Sequence, residues 1–115
     1  MSTNLKTVIV VHSTGMGRSD SGLTQKLLIT HLRLLNESDY LPKAICFYAD
    51  GVKLVVSNSP VLSELRTLQE RGVHIIVCNT CLQYFNLQAD LQVGIIGGMH
   101  DIIEAQWHAE RVITL

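Results

Sequence analysis

The sequence predicts an α/β protein, a three-layer flavodoxin-like sandwich built around a mainly parallel five-stranded sheet. Short β-branched runs alternate along the chain with segments whose apolar residues recur at helical spacing. The runs are apolar almost without interruption, which indicates strands that are buried on both faces and covered by helices on each side. Right-handed crossovers between such strands give the layered arrangement.

Each predicted element has a signal of its own. Strands are marked by aliphatic runs, helices by apolar residues three or four positions apart, and boundaries by glycine, asparagine and aspartate. The helix at 60–71 has clearly marked ends, because Ser59 suits its N-cap, Pro60 suits its first position and Gly72 stops it. In chain order, the predicted elements are a strand at 7–12, a helix from about 21 to 36, a strand at 43–49, a helix at 60–71, a strand at 73–77, a short helix at 80–85, a strand at 91–96, a helix at 99–106 and a strand at 111–115.

Length and composition indicate a single domain over residues 1–115. The chain has 115 residues, of which 47% are hydrophobic, and its formal net charge is −1. This charge gives no basic surface for nucleic acid or for an anionic membrane. No apolar run reaches the roughly 20 residues that span a bilayer, and the first six residues lack the apolar core of a secretory signal. Three cysteines do not suit a disulfide scaffold, so we expect free thiols in the cytoplasm.

The strongest candidates for chemistry are Cys78 and Cys81. Sites in sheets of this kind lie beyond the carboxyl ends of the strands, where the turn 78–81 falls. A helix N-terminus after Cys78 would stabilise its thiolate, so Cys78 is the predicted nucleophile, provided that its sulfur is accessible. Cys81 could form a disulfide with it or exchange sulfur with it. The alternatives are that Cys78 is a small buried apolar residue and that Cys81 packs inward, as predicted for Cys46 in the second strand.

Two histidines are candidate accessory groups. His12 ends the first predicted strand and His100 follows the fourth, so both could face the cysteine turn. An imidazolium would favour the thiolate and a neutral imidazole could act as a base, although a turn-capping or surface role is the simpler explanation for each histidine. Two cysteines and two histidines could also bind zinc, but these histidines lack the usual paired spacing, so no metal is predicted.

The loop at 13–17 is a candidate anion or partner site. Gly15, Gly17 and Arg18 precede a predicted helix N-terminus, where backbone N–H groups and a positive charge could hold an anion. A tight turn explains the same residues. No third glycine completes a dinucleotide fingerprint, so no nucleotide or flavin cofactor is predicted.

Four segments of the chain resemble a known family. They are Met-Gly-Arg-Ser-Asp at 16–20, Gly-Val-Lys-Leu at 51–54, Leu-Gln-Glu-Arg-Gly-Val at 68–73 and Val-Cys-Asn-Thr-Cys-Leu at 77–82. With them the chain resembles the DsrE/DsrF-like domains of bacterial sulfur metabolism, and among these the C-terminal domain of YedF-type proteins.

The resemblance implies a flavodoxin-like fold and a sulfur-relay role. Such proteins carry sulfane sulfur as a persulfide on one cysteine and pass it to a partner protein. Against TusD-like relatives that cysteine corresponds to Cys78, and Cys81 would be a helper, a resolving thiol or a second carrier. The resemblance further implies donor and acceptor proteins, among them a TusA-like carrier as a separate partner, and homo-oligomers that are trimers or hexamers.

The leading hypothesis is therefore a cytoplasmic carrier or sulfurtransferase for sulfur, or for selenium, that works through Cys78. One alternative is an oligomeric interaction module with inert cysteines that binds an anion or a protein through the loop at 13–17. The other is a dithiol–disulfide oxidoreductase that cycles Cys78 and Cys81.

Overall fold

A single sheet of five parallel strands organises the molecule. The computed structural model describes residues 3–115, with side chains from Lys6 onward. The strands are β1 (Thr3–Val11), β2 (Tyr40–Phe47), β3 (His74–Cys78), β4 (Ile95–Gly97) and β5 (Arg111–Thr114). The helices are α1 (Ser21–Glu37), α2 (Leu62–Glu70), α3 (Asn79–Tyr84) and α4 (Met99–Trp107). Their alternation confirms the predicted α/β fold.

The strand order is β4–β3–β2–β1–β5, and every pairing is parallel. The layers are those of a flavodoxin-like sandwich, while flavodoxin itself has the order 2-1-3-4-5. From β1 to β4 the chain steps in one direction across the sheet, and from β4 to β5 it returns past β1. Because crossovers are right-handed, this reversal places α4 on the face opposite α1 and α2.

Alternate residues of the central strands face the two helical layers. Ile9 of β1 lines a cavity with side chains of α1, whereas its neighbour Val8 lines a cavity with side chains of α4. The strand residues Val8, Ile9, Ile45 and Val77 are all buried, which explains why the strands read as continuous apolar runs. The core therefore lies on both sides of β1, β2 and β3.

The end of α2 agrees with the sequence and its start does not. Gly72 has a left-handed backbone (φ 97°), and the N–H of Val73 donates to the carbonyl of Leu68, so the glycine stop is confirmed. Ser59 was predicted as the N-cap, but the cap is Val61. The Ser59 hydroxyl instead accepts a hydrogen bond from the Val61 N–H, which forms a turn just before the helix.

The fourth strand is shorter than the predicted 91–96. Leu91 forms an antiparallel bridge with Val56, and the N–H of Gln92 donates to the carbonyl of Val55. Gly94 then turns the chain with φ 90°, so only Ile95–Gly97 joins the sheet. Pairing with the distant segment around Val56 thus replaces the first half of the expected strand.

A membrane-crossing helix is not found in the described part of the chain, where no helix combines the necessary length and apolar character.

Candidate functional site

The carboxyl end of β3 passes directly into a helix, as predicted. Cys78 is both the last residue of β3 and the N-cap of α3, and it pairs with Gly97 of β4. Cys81 follows in the first turn of α3. Both cysteines therefore lie at the edge of the sheet where sites occur in this architecture. With six residues, α3 is short, so its dipole is smaller than that of a long helix.

Cys78 is completely buried, with 0% of its surface exposed. It belongs to the continuous hydrophobic core, together with Val77 and Leu82, its neighbours on β3 and α3. The expectation of an accessible sulfur at this position is therefore wrong for the single chain. The turn is where the sequence places it, but its first residue points into the packed interior.

Cys81 is the accessible member of the pair. Its side chain is half-buried, and its Sγ accepts a hydrogen bond from the backbone N–H of Ala49 at 3.1 Å. Burial raises the pKa of the Cys81 thiol above the ordinary value, and a hydrogen bond and charge interaction with Cys78 raise it further. The Ala49 N–H acts in the opposite direction, because it stabilises the thiolate. The two thiols thus lie near each other and interact.

The Ala49 donor is held in place by the exit of β2. Ala49 opens a 3₁₀ helix (Ala49–Leu54) in a left-handed conformation (φ 51°) that costs energy for a residue other than glycine. The N–H of Tyr48, just before it, donates to the carbonyl of Val11. Gly51 packs so closely on β1 that a Cβ there would lie 2.2 Å from the Val11 oxygen. The sequence predicted Ala49 as the last residue of the strand at 43–49, whereas β2 ends at Phe47 and Ala49 opens the 3₁₀ helix. Nothing in the sequence indicated a donor to Cys81.

The predicted histidines contact other partners. The ring of His12 stacks on that of Tyr48, with centroids 6.2 Å apart and planes 26° apart. His12 thereby reaches the residue next to Ala49. The Nε2 of His100 lies 3.5 Å from a carboxylate oxygen of Asp101, and its side chain is exposed. Accessory roles of His12 and His100 toward Cys78 stay predictions.

The loop of Gly15, Gly17 and Arg18 is closed by its own hydrogen bonds. The Ser13 hydroxyl donates to the carbonyl of Gly15, whose missing Cβ leaves room for the next helix. Gly17 has φ 80° and Arg18 is exposed. The carboxylate of Asp20 caps α1 and accepts the Leu23 N–H. Because a carboxylate already satisfies that N-terminus, the predicted anion role depends on Arg18 and the loop backbone alone.

The rim beside Cys81 is aromatic and charged. Tyr84, on the same short helix, is 84% exposed, and its ring packs edge-on against Phe85. Lys53 lies 4.4 Å above the Phe85 ring centroid and pairs with Asp50 at 2.9 Å. Within residues 3–115 no three histidine, cysteine or acidic side chains cluster as metal ligands would.

Comparison with known proteins identifies a family and a fold. A sequence model described as the DsrE/DsrF-like family matches residues 5–115. No curated protein matches the chain.

Three solved structures resemble the chain at low sequence identity, which establishes the fold alone. A protein of unknown function from Methanobacterium thermoautotrophicum is 20% identical, with a TM-score of 0.71, over 97% of this chain and 100% of that one. The ychN protein from E. coli is 18% identical, with a TM-score of 0.69, over 96% of this chain and 99% of that one. A conserved protein of unknown function from Bacteroides thetaiotaomicron is 13% identical, with a TM-score of 0.63, over 96% and 95%.

Proposed function

Because the chain belongs to the DsrE/DsrF-like family, we propose that it carries sulfur as a persulfide between a donor and an acceptor protein. The observation that carries the proposal is the nearness of Cys78 and Cys81 where β3 passes into α3. One of these sulfurs is buried and the other is half-exposed. Such a pair can take up a sulfur atom and shield it from solvent.

The chemistry is thiol–persulfide exchange. A cysteine thiolate attacks the outer sulfur of a donor persulfide, R–S–SH, and forms a new S–S bond. The S–S bond of the donor breaks, and the donor leaves as the thiolate R–S⁻. The same exchange in reverse delivers the sulfur to an acceptor thiolate. No oxidant is needed, because the sulfane sulfur keeps its oxidation state throughout.

In this proposal Cys78 holds the sulfur and Cys81 assists as a second thiol. The donors and acceptors are other proteins, of which a TusA-like carrier is one. A reducing compartment such as the cytoplasm suits three cysteines that are all free.

Mass spectrometry of the intact protein tests the proposal. After incubation with glutathione persulfide we expect an adduct of one sulfur atom, about 32 Da, that dithiothreitol removes. Cys46→Ala is the matched control, because Cys46 lies buried in β2, and it must still form the adduct. An adduct that survives in the double variant Cys78→Ala/Cys81→Ala, or no adduct in the wild type, would contradict a carrier role.

A dithiol–disulfide oxidoreductase is the second candidate, and the nearness of the two thiols favours it. Cys81 as thiolate would attack a substrate disulfide, and Cys78 would then displace the bound substrate to leave a Cys78–Cys81 disulfide. The two candidates differ in their product, because a carrier gains one sulfur atom, about 32 Da, whereas the oxidoreductase loses two hydrogen atoms, about 2 Da, when the disulfide forms. If Cys81→Ala keeps full sulfur-carrying activity, the oxidoreductase loses its support.

We also propose that copies of the chain associate. Helix α4 exposes Met99, Ile103 and Trp107 along one stripe, with Trp107 83% exposed, and Ile95 lies on the edge strand β4 beside it. A second copy of this chain is the occupant that the family resemblance suggests. Sedimentation of Ile103→Glu, with Tyr40→Glu as an exposed control elsewhere, tests this. A wild-type monomer would contradict it.

A further inference from the structure

We propose that sulfur arrives at Cys81 and only afterwards passes to Cys78. This inference rests on the proposed sulfur-carrying function and specifies its order. It reverses the order that sequence position suggests, in which Cys78 meets the donor. The substrate class is a persulfide, whose outer sulfur must meet an attacking thiolate directly.

Burial is the first reason. Exchange requires the attacking sulfur to approach along the axis of the donor S–S bond, so both the donor and its leaving group need space. Cys78 has no exposed surface, and it is packed in the core with Val77 and Leu82. A donor could reach Cys78 only if the end of β3 opened, whereas Cys81 is half-exposed in the closed structure.

The hydrogen bond from Ala49 is the second reason. Its N–H points at the Cys81 sulfur from 3.1 Å, and so it stabilises a negative charge on that sulfur. The donor is fixed, because Tyr48 is hydrogen-bonded to Val11 and Gly51 is packed against the same carbonyl. A persulfide formed at Cys81 would therefore be held in a defined position.

The nearness of the two thiols permits the second step. In the first step the Cys81 thiolate attacks the outer sulfur of R–S–SH, so that Cys81–S–SH forms and R–S⁻ leaves. Cys78 then attacks the outer sulfur of Cys81–S–SH, so that Cys78–S–SH forms and Cys81 leaves as the thiol. The proton of Cys78 passes to Cys81, whose sulfur lies near it.

This order protects the cargo. A sulfane sulfur on an exposed cysteine is removed by any small thiol in its surroundings. After transfer to Cys78 it lies in a water-excluded core, and it leaves only when Cys81 takes it back. Sulfur thus enters and leaves the carrier through Cys81, and it is held on Cys78.

Rapid quenching locates the first sulfur. The Cys46→Ala protein is mixed with glutathione persulfide, quenched with an alkylating agent, and the modified cysteine is found by fragmenting the peptide between Asn79 and Thr80. We expect the added sulfur on Cys81 first and on Cys78 later. In Cys81→Ser, sulfur loading at Cys78 should be slower than in the parent by about tenfold or more, because a donor reaches Cys78 only after local opening. Loading of Cys78→Ala at Cys81 should be at least as fast as in the parent, because removal of Cys78 lowers the pKa of Cys81.

The outcomes separate the inference from the function it rests on. If sulfur appears first on Cys78, or if Cys81→Ser loads Cys78 at the parent rate, the proposed order is overturned and the carrier function stands. If the parent protein takes up no sulfur on either cysteine, the carrier function itself fails. Circular dichroism of each variant, and Cys81→Ala beside Cys81→Ser, show whether slow loading comes from lost folding.

Discussion

The backbone N–H of Ala49 lies 3.1 Å from the Sγ of Cys81 and donates a hydrogen bond to it. This contact joins the exits of two neighbouring strands, β2 and β3. Ala49 adopts φ 51° to make it, a conformation that L-residues other than asparagine and aspartate rarely take. Backbone strain of this kind persists only where the surrounding structure imposes it. Here the strained residue directs its N–H at the accessible thiol of Cys81.

Ala49→Gly should stabilise the protein by about 1 kcal/mol, because glycine adopts φ > 0 without the steric cost that alanine has. The N–H that serves Cys81 is retained, so sulfur loading should not change. Urea denaturation followed by circular dichroism measures the difference in the free energy of unfolding.

The matched control is Gly51→Ala, two residues later, whose Cβ would lie 2.2 Å from the Val11 oxygen. It should destabilise by about 2 kcal/mol or more. Equal effects of the two changes would contradict this account of the loop.

Cys78→Ala should shift the pH profile of Cys81 alkylation to lower pH. Burial, the thiol–thiol hydrogen bond and the charge of Cys78 all raise the pKa of Cys81. The substitution removes the last two causes, so the Cys81 pKa falls and more thiolate is present near neutral pH. The rate of iodoacetamide reaction at Cys81 against pH measures this. Cys46→Ala should leave the profile where it is, and a shift to higher pH in Cys78→Ala would refute the expectation.

The sequence predicted the secondary structure around the site better than the accessibility of its cysteines. The apolar run before Cys78 and the polar turn after it defined the strand-to-helix passage, because these are local patterns. Whether the Cys78 side chain faces the core depends on how distant segments pack over it, and no local pattern records that. The conformation of Ala49 likewise depends on its neighbours Tyr48 and Gly51, which are held against Val11 of β1. The shortened β4 has the same origin, since its first half pairs with Val56.

Cys46 should make stability fall above pH 9. Burial raises the pKa of this thiol from 9.0 to about 11. Between these values the unfolded chain loses the proton and the folded chain keeps it, so the free energy of unfolding decreases as pH rises. The loss attributable to Cys46 reaches about 2 kcal/mol near pH 11. Cys46→Ala should show a shallower decline in denaturant titrations at pH 8 to about 11.

A control for Cys46→Ala must lower stability without removing a thiol. Ile45→Val serves, because Ile45 is buried next to Cys46 and the change costs about 1 kcal/mol. Its decline with pH should parallel the wild type. If Cys46→Ala also parallels the wild type, the buried thiol is not the source of the alkaline loss.

His31→Leu should stabilise the protein, and more so at pH 5 than at pH 7. The Nε2 of His31, on α1, is buried without a hydrogen-bond partner among the described residues, and burial lowers the pKa of the ring below 6.5. As pH falls below 6.5 the unfolded chain binds a proton that the folded chain resists, so stability is lost through the lowered folded pKa. Leucine removes both this loss and the unpaired nitrogen, which raises the free energy of unfolding by about 1 kcal/mol at neutral pH.

His108→Leu is the control, because His108 is exposed on the far side of the sheet and should show no comparable gain in acid. Urea titrations of both variants at the two pH values measure the difference, and a gain for His31→Leu that does not grow in acid would show that the ring is not desolvated.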